Sequence, residues 1–171
     1  MQNTPKVLVI GDLMIDHYLW GRAERISPEA PVQVVDIDKE TTVLGGAGNV
    51  INNLRALGCE VSVISVVGDD DVSHELEDML DAIDAKSYLV KEHERKTSKK
   101  SRIIASHSQV VRYDKESKNN ISKNSENKLL EYFKNLCKDA DIVLLSDYGK
   151  GVLTDTLTKK IIETSNLNSK K

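Results

Sequence analysis

The first apolar run of the chain, Lys6-Val-Leu-Val-Ile10, is short, β-branched and closed by Gly11. Such a run predicts a strand covered on both faces, as in a parallel sheet. Val32 to Asp38 alternates Val32, Val34 and, less cleanly, Ile37 with polar neighbours, which predicts an exposed or half-covered strand. From Ala47, the apolar positions Ala47, Val50, Leu54 and Leu57 follow the helical period, and Gly58 stands where a helix stops. Glu60 to Val67 predicts another strand. Asp70 or Asp71 then caps a helix to about Ile83, with Leu76, Met79, Leu80 and Ile83 on one face. Strand, helix, strand, helix is the succession of an α/β fold, a parallel sheet flanked by helices.

The middle of the chain loses the helical period. Between Ser87 and Asp114, short strand-like pieces (Ser101 to Ala105, Gln109 to Arg112) alternate with polar turns, which predicts antiparallel strands projecting from the main sheet. Leu129, Tyr132, Phe133 and Leu136 mark an amphipathic helix, and Asp141-Ile-Val-Leu-Leu145 a buried strand. Thr154 caps a last helix through Ile162, and the tail from Ser165 carries no packing signal. No repeat or low-complexity linker interrupts the chain, so one domain is expected. The last strand–turn–helix unit has no strand after it, although right-handed crossovers normally feed one. Either the sheet stops there or the chain continues elsewhere. Sheet order does not follow from these patterns.

Composition narrows the function classes. With 39% hydrophobic and 30% charged residues, the chain falls among soluble globular proteins. A net charge of −3 gives no global attraction to nucleic acid or anionic membrane. Val7 to Ile10 is far too short for a membrane span or a signal peptide, and a cytoplasmic location is expected. Cys59 and Cys137 lack metal-type spacing and are expected to be buried reduced thiols. The histidines at 17, 74, 93 and 107 share no ligand spacing, so no metal site is inferred.

Four segments carry candidate chemistry. Asp12 and Asp16 follow the first strand, where open α/β sheets place ligands, and carboxylates there can accept hydrogen bonds from sugar hydroxyls. Taken alone, an aspartate capping a turn explains them as well. Gly45-Gly-Ala-Gly-Asn49 lets backbone approach a ligand at a helix start, with Asn49 as donor and acceptor. A dinucleotide fingerprint opening at Gly46 fails at its third glycine, which is Ile51. Ser146-Asp-Tyr-Gly-Lys-Gly151 places Asp147 and Lys150 after a second strand, although a solvated lysine is the commoner explanation for any one lysine. The basic stretch Lys91 to Arg102, with Arg95, Lys96, Lys99 and Lys100, followed by Arg112, suits a phosphate on a small substrate better than nucleic acid. A solvated charged face is the plainer reading.

Together these segments resemble the ribokinase/PfkB family of carbohydrate kinases, and within it the D-glycero-D-manno-heptose 7-phosphate kinases of lipopolysaccharide core synthesis. The matching stretches are Gly11-Asp12 with Asp16, Gly45-Gly-Ala-Gly-Asn-Val50, Gly68-Asp69-Asp70 and Leu145-Ser-Asp-Tyr-Gly-Lys-Gly-Val152. Arg25-Ile-Ser-Pro-Glu-Ala-Pro-Val32 is the most specific. Departures include Gly48 and Ile51 where the family usually has Ala, Gln33 for Pro, Ser101 for Thr, and Ser108 for Gln.

The resemblance implies a ribokinase-like sheet with a small β lid built from residues 32–43 and 99–114. It implies a sugar site formed by Asp12, Asp16, Gly45, Gly46, Asn49 and Asp147, with Lys100, Arg102 and Arg112 at the 7-phosphate. It also implies a chain about twice as long, whose C-terminal half holds ATP, Mg2+ and a Gly-Ala-Gly-Asp motif with the catalytic base. On that expectation this chain has no catalytic residue of its own and is inactive alone. A homodimer through the lid is expected. The alternatives are a kinase of another sugar or sugar phosphate, or a non-catalytic sugar-phosphate-binding or dimerisation module.

Overall fold

Val7 and Val9 pack on one face of strand β1 (Lys6–Gly11), and Leu8 and Ile10 on the other, which is why the run shows no polar alternation. The computed structural model, which describes residues 4–171, places β1 inside a four-stranded parallel sheet. Its order is β5-β4-β1-β8, with β4 (Glu60–Gly68), β5 (Lys86–Glu92) and β8 (Ile142–Ser146). Helices α1 (Ala47–Ala56) and α2 (Asp71–Ala82) cover one face through Ile51, Leu76 and Leu80. Helices α3 (Lys123–Leu136) and α4 (Asp155–Leu167) cover the other through Leu129, Phe133, Leu157 and Ile161.

Local signals set the helix ends. Asp70 caps α2 by accepting the Ser73 N–H at 3.1 Å, and Thr154 caps α4 by accepting that of Leu157 at 3.1 Å. Helix α1 stops at Gly58, whose N–H bonds to Arg55 O while that of Cys59 bonds to Leu54 O, the paired geometry that a left-handed residue (φ +84°) permits.

A second four-stranded sheet has the order β3-β2-β6-β7, with β2 (Leu13–Ile26), β3 (Gln33–Gly46), β6 (Ser98–Ala105) and β7 (Ser108–Lys115). Strand β2 lies antiparallel to β3 and parallel to β6, and β6 turns into β7 through Ser106 and His107, both at positive φ. That two-residue loop matches the twist of the flanking strands.

Several expectations are corrected. The segment after Gly11, for which the sequence pattern predicted no strand, is the 14-residue inner strand β2. Its first residues are buried together, and its far end is exposed, so no sustained alternation marks it. Strand β5 belongs to the main parallel sheet and does not project from it. Strand β3 runs on through Gly45 and Gly46, so the glycine pair closes a strand. Helix α4 extends past Ile162 to Leu167, and the tail is tied down, Val143 N–H donating to Lys171 O at 2.8 Å. Cys137 is buried, whereas Cys59 is only half-buried; neither forms a disulfide.

Candidate functional site

Asp12 joins the end of β1 in the main sheet to the start of β2 in the second, where three segments meet. Its N–H donates to Ser146 O at 3.1 Å, and its carbonyl accepts the Ala47 N–H at 3.0 Å. Its buried carboxylate accepts the N–H groups of Tyr148 (2.8 Å) and Lys150 (3.1 Å) on Oδ2, and that of Val152 (3.2 Å) on Oδ1. Charge-assisted bonds of this kind are among the stronger ones, and here they order the loop following β8. Beside the sugar contact expected of it, Asp12 thus organises that loop, with backbone donors on both of its oxygens.

Cross-strand register brings the other candidates onto one face of the second sheet. Asp16 pairs with Lys100, and Met14 with Gly45; Tyr18 pairs with Arg102, which in turn pairs with Arg112. Side chains of directly paired residues share a face, so Asp16, Gly45, Lys100, Arg102 and Arg112 stand together. A Cβ on Gly45 would run into the Asp16 carboxylate, so only glycine leaves room for the acid there. Arg102 Nη1 donates to Asp16 Oδ1 at 2.6 Å, and its guanidinium lies 5.2 Å from the Tyr18 ring centroid. The Asp16 hydrogen bond holds the Arg102 guanidinium above its ordinary range. Lys100 sits 3.4 Å from Asp114, which Arg112 also grips through Nε (3.0 Å) and Nη2 (2.9 Å). Burial pulls Asp114 upward, but its bond from Arg112 and the Lys100 charge outweigh that and leave it below the usual carboxylate value.

The glycine-rich turn adjoins this face. Gly46 (φ +54°) caps α1, and a Cβ there would stand 2.6 Å from Asp12 O and 2.7 Å from Met14 Cε. Asn49, in the first turn of α1, is exposed. Asp147 is exposed too, but it folds back to accept the Gly149 N–H at 2.8 Å. It lines an open groove with Leu153, Asp155, Thr158 and Ile162 of the α4 side.

A family model described as "pfkB family carbohydrate kinase" matches residues 4–169. The chain belongs to this family. It is 57% identical over its whole length to the "Bifunctional protein HldE" of Aliarcobacter butzleri (strain RM4018), and spans 36% of that protein. The protein of the same name from Helicobacter hepaticus (strain ATCC 51449 / 3B1) is 47% identical over 98% of this chain, which spans 35% of it. Among solved structures, the tetrameric inhibited form of phosphofructokinase-2 from Escherichia coli superposes with a TM-score of 0.72 at 14% identity, covering 99% of this chain and 53% of that one. A carbohydrate kinase from Agrobacterium tumefaciens superposes at 0.70 with 18% identity, covering 98% and 52%. The chain thus spans about a third of the curated relatives and half of the solved kinases.

In this pfkB-family chain, the basic stretch divides by strand alternation. Lys100 and Arg102 face Asp16, whereas Lys99 turns the other way to Glu75 (2.8 Å) and Lys91 pairs with Glu77 (3.1 Å). Ser101, on the far side as well, shares a 3.0 Å hydrogen bond with His17 Nδ1, so the departure at 101 does not touch the candidate face.

Glu116 escapes the sequence reading, and Arg95 stands in it only as one member of the basic stretch. Glu116 gathers Lys150 (2.9 Å), Lys118 (3.1 Å) and Lys100 (3.5 Å). Burial pushes its carboxyl up, and the bonds from Lys150 and Lys118 more than reverse this, leaving it lowered. Arg95 is buried, with burial depressing its guanidinium below the ordinary value. Neither has a local pattern; only an acid flanked by lysines at 115 and 118 hints at the first.

Proposed function

We propose that this chain forms the sugar-binding part of a kinase that phosphorylates D-glycero-D-manno-heptose 7-phosphate at C1 with ATP, in ADP-heptose and lipopolysaccharide core biosynthesis. One observation carries the reading: Asp16 stands over Gly45 on a sheet face shared with Lys100, Arg102 and Arg112. A carboxylate accepts from sugar hydroxyls, and arginine forks match a phosphate bidentately. Family membership and the relatives named Bifunctional protein HldE support it, as does the string Arg25 to Val32.

In this reading Asp16 and Asn49 orient the sugar hydroxyls, and Gly45 and Gly46 let backbone come close to the ring. Lys100, Arg102 and Arg112 neutralise the 7-phosphate, with Arg102 exchanging its Asp16 partner for a phosphate oxygen. Asp12 positions the loop after β8, and Asp147 enters from that loop. The second sheet acts as the lid. Its exposed Val43, Val110, Val111 and Tyr113 suit a second copy of the chain, which favours a homodimer through that sheet.

ATP with Mg2+ supplies the phosphoryl group in the whole enzyme. The residues here do not fit that part: the only Gly-Ala-Gly-Asx string ends in Asn49, whose amide cannot accept a proton, at the start of α1 beside the sugar motif. Phosphoryl transfer needs a base and charge neutralisation together, and Asn49 cannot serve as that base. No helix among the described residues is long and apolar enough to cross a membrane, which agrees with the cytoplasmic location we propose.

The test is a titration of the chain, followed residue by residue in NMR spectra, with heptose 7-phosphate, unphosphorylated heptose and fructose 6-phosphate. The expected result is saturable binding of heptose 7-phosphate with shifts at Asp16, Asn49 and Arg102. Equal binding of fructose 6-phosphate would overturn the heptose assignment, and shifts confined to other surfaces would overturn the site.

A further inference from the structure

Lys150 is held by its own peptide groups between two buried opposite charges. Its N–H donates to Asp12 Oδ2 at 3.1 Å, and its carbonyl accepts from Arg95 Nη2 at 2.8 Å and Nη1 at 3.4 Å. The same guanidinium fork donates to Asn119 O at 3.0 and 3.2 Å, and its Nε lies 3.8 Å from Glu92 Oε2. The surroundings are built for this contact. Gly151 leaves room for the Asn119 carbonyl that a Cβ would strike, and Gly68 does the same for the Arg95 carbonyl. Gly151 O in turn accepts the Ile121 N–H at 3.0 Å.

The clamp has a consequence on the ligand side. With its backbone held, Lys150 extends its ammonium to Glu116 at 2.9 Å, and Glu116 reaches Lys100 on the Asp16 face at 3.5 Å. The loop after β8 and the second sheet are therefore joined through Lys150. An ammonium offers three donors on one nitrogen in place of a planar five-donor fork, so it does not reproduce the paired bonds to both carbonyls.

We propose that Arg95 is a positioning residue of the sugar-phosphate site: together with Asp12 it locks the Lys150 peptide and so fixes the loop 147–152 against the cation face. This inference rests on the sugar-phosphate reading of that face, but its first readout does not. Amide exchange would be measured residue by residue on the chain, alongside affinity for heptose 7-phosphate, in wild type, Arg95→Gln and Arg95→Lys. Arg95→Lys keeps a buried charge and guards against a variant that simply unfolds. Arg22→Gln, which removes an exposed ion pair with Asp38, serves as control.

The expected result is at least tenfold faster exchange at Lys150 and Val152 in both Arg95 variants, with Val9 and Ile64 still protected, and about tenfold weaker sugar-phosphate binding. Arg22→Gln should match wild type. Unchanged exchange at Lys150 would overturn the clamp. Faster exchange with undiminished affinity would overturn its role in the site. A wild-type chain that binds no sugar phosphate would instead sink the functional reading, while exchange still judges the clamp.

Discussion

Asp16 and Arg102 lie 86 positions apart in sequence, yet Nη1 and Oδ1 meet at 2.6 Å across the adjacent strands β2 and β6. Each side chain is about one-fifth exposed. The pair is therefore reachable by a ligand and only partly screened, which suits groups that exchange partners when a sugar phosphate arrives.

Asp16→Ala should leave the fold intact and weaken heptose 7-phosphate binding. Loss of a charged hydrogen-bond partner costs about 1.5–3 kcal/mol, or roughly 10- to 150-fold in affinity. In a full-length enzyme the same change should lower kcat/KM at least as much. Calorimetric titration checks the first, steady-state kinetics the second; near wild-type values would remove Asp16 from the site.

The two glycines should fail differently. Gly45→Ala places a methyl group against the Asp16 carboxylate and should reduce binding more than stability. Gly46→Ala forces a side chain into φ +54° and against Asp12 O, so it should cost about 1–3 kcal/mol in stability before any ligand is added. Denaturant melts of both variants, paired with titrations, separate the two effects.

Asp12→Ala should be the most destabilising of these changes. It strips the acceptor from three backbone N–H groups in the loop after β8, and each buried donor left unpaired costs about 1–3 kcal/mol. A drop of several degrees or more in melting temperature is expected, with loss of ligand binding following from the disordered loop. A melting temperature equal to wild type would mean that other acceptors take over.

Acid should loosen the contact between the second sheet and the loop after β8. Glu116 is lowered in the folded protein from its ordinary 4.5, so its contribution is fully present above that value and is lost as pH falls through the folded one. Asp114 and Glu92 are lowered as well and act in the same direction. Thermal melts should therefore be flat from pH 7 to 5 and fall below 4.5. Glu116→Gln should reduce the steepness of that fall while lowering stability at pH 7.

Association through the second sheet is checked by light scattering. Val111→Lys with Tyr113→Lys places charge on half-exposed apolar positions of β7 and should convert a dimer to a monomer. A wild-type chain that is already monomeric at high concentration would dismiss the proposed dimer.

The main sheet and its helices follow from signals that act within a few residues. The run Val7 to Ile10, the stop at Gly58, the caps Asp70 and Thr154 and the amphipathic face around Leu129 and Phe133 each have a local cause. The motif positions Asp16, Gly45, Gly46 and Asn49 stand out in the sequence for the same reason, while their sugar-binding role is what the family resemblance implies. Strand pairing is not local, and only the tertiary structure decided it. It made Leu13–Ile26 a strand, set the order β3-β2-β6-β7, and sorted Lys99 from Lys100 onto opposite faces. It also turned Asp12 inward to the loop after β8 and drew Arg95 out of an apparent surface charge run into a buried position bonded to the Lys150 carbonyl. The physical reason is that a side chain's period reports how one segment meets its surroundings, whereas a buried charge goes wherever distant backbone donors and acceptors need a partner.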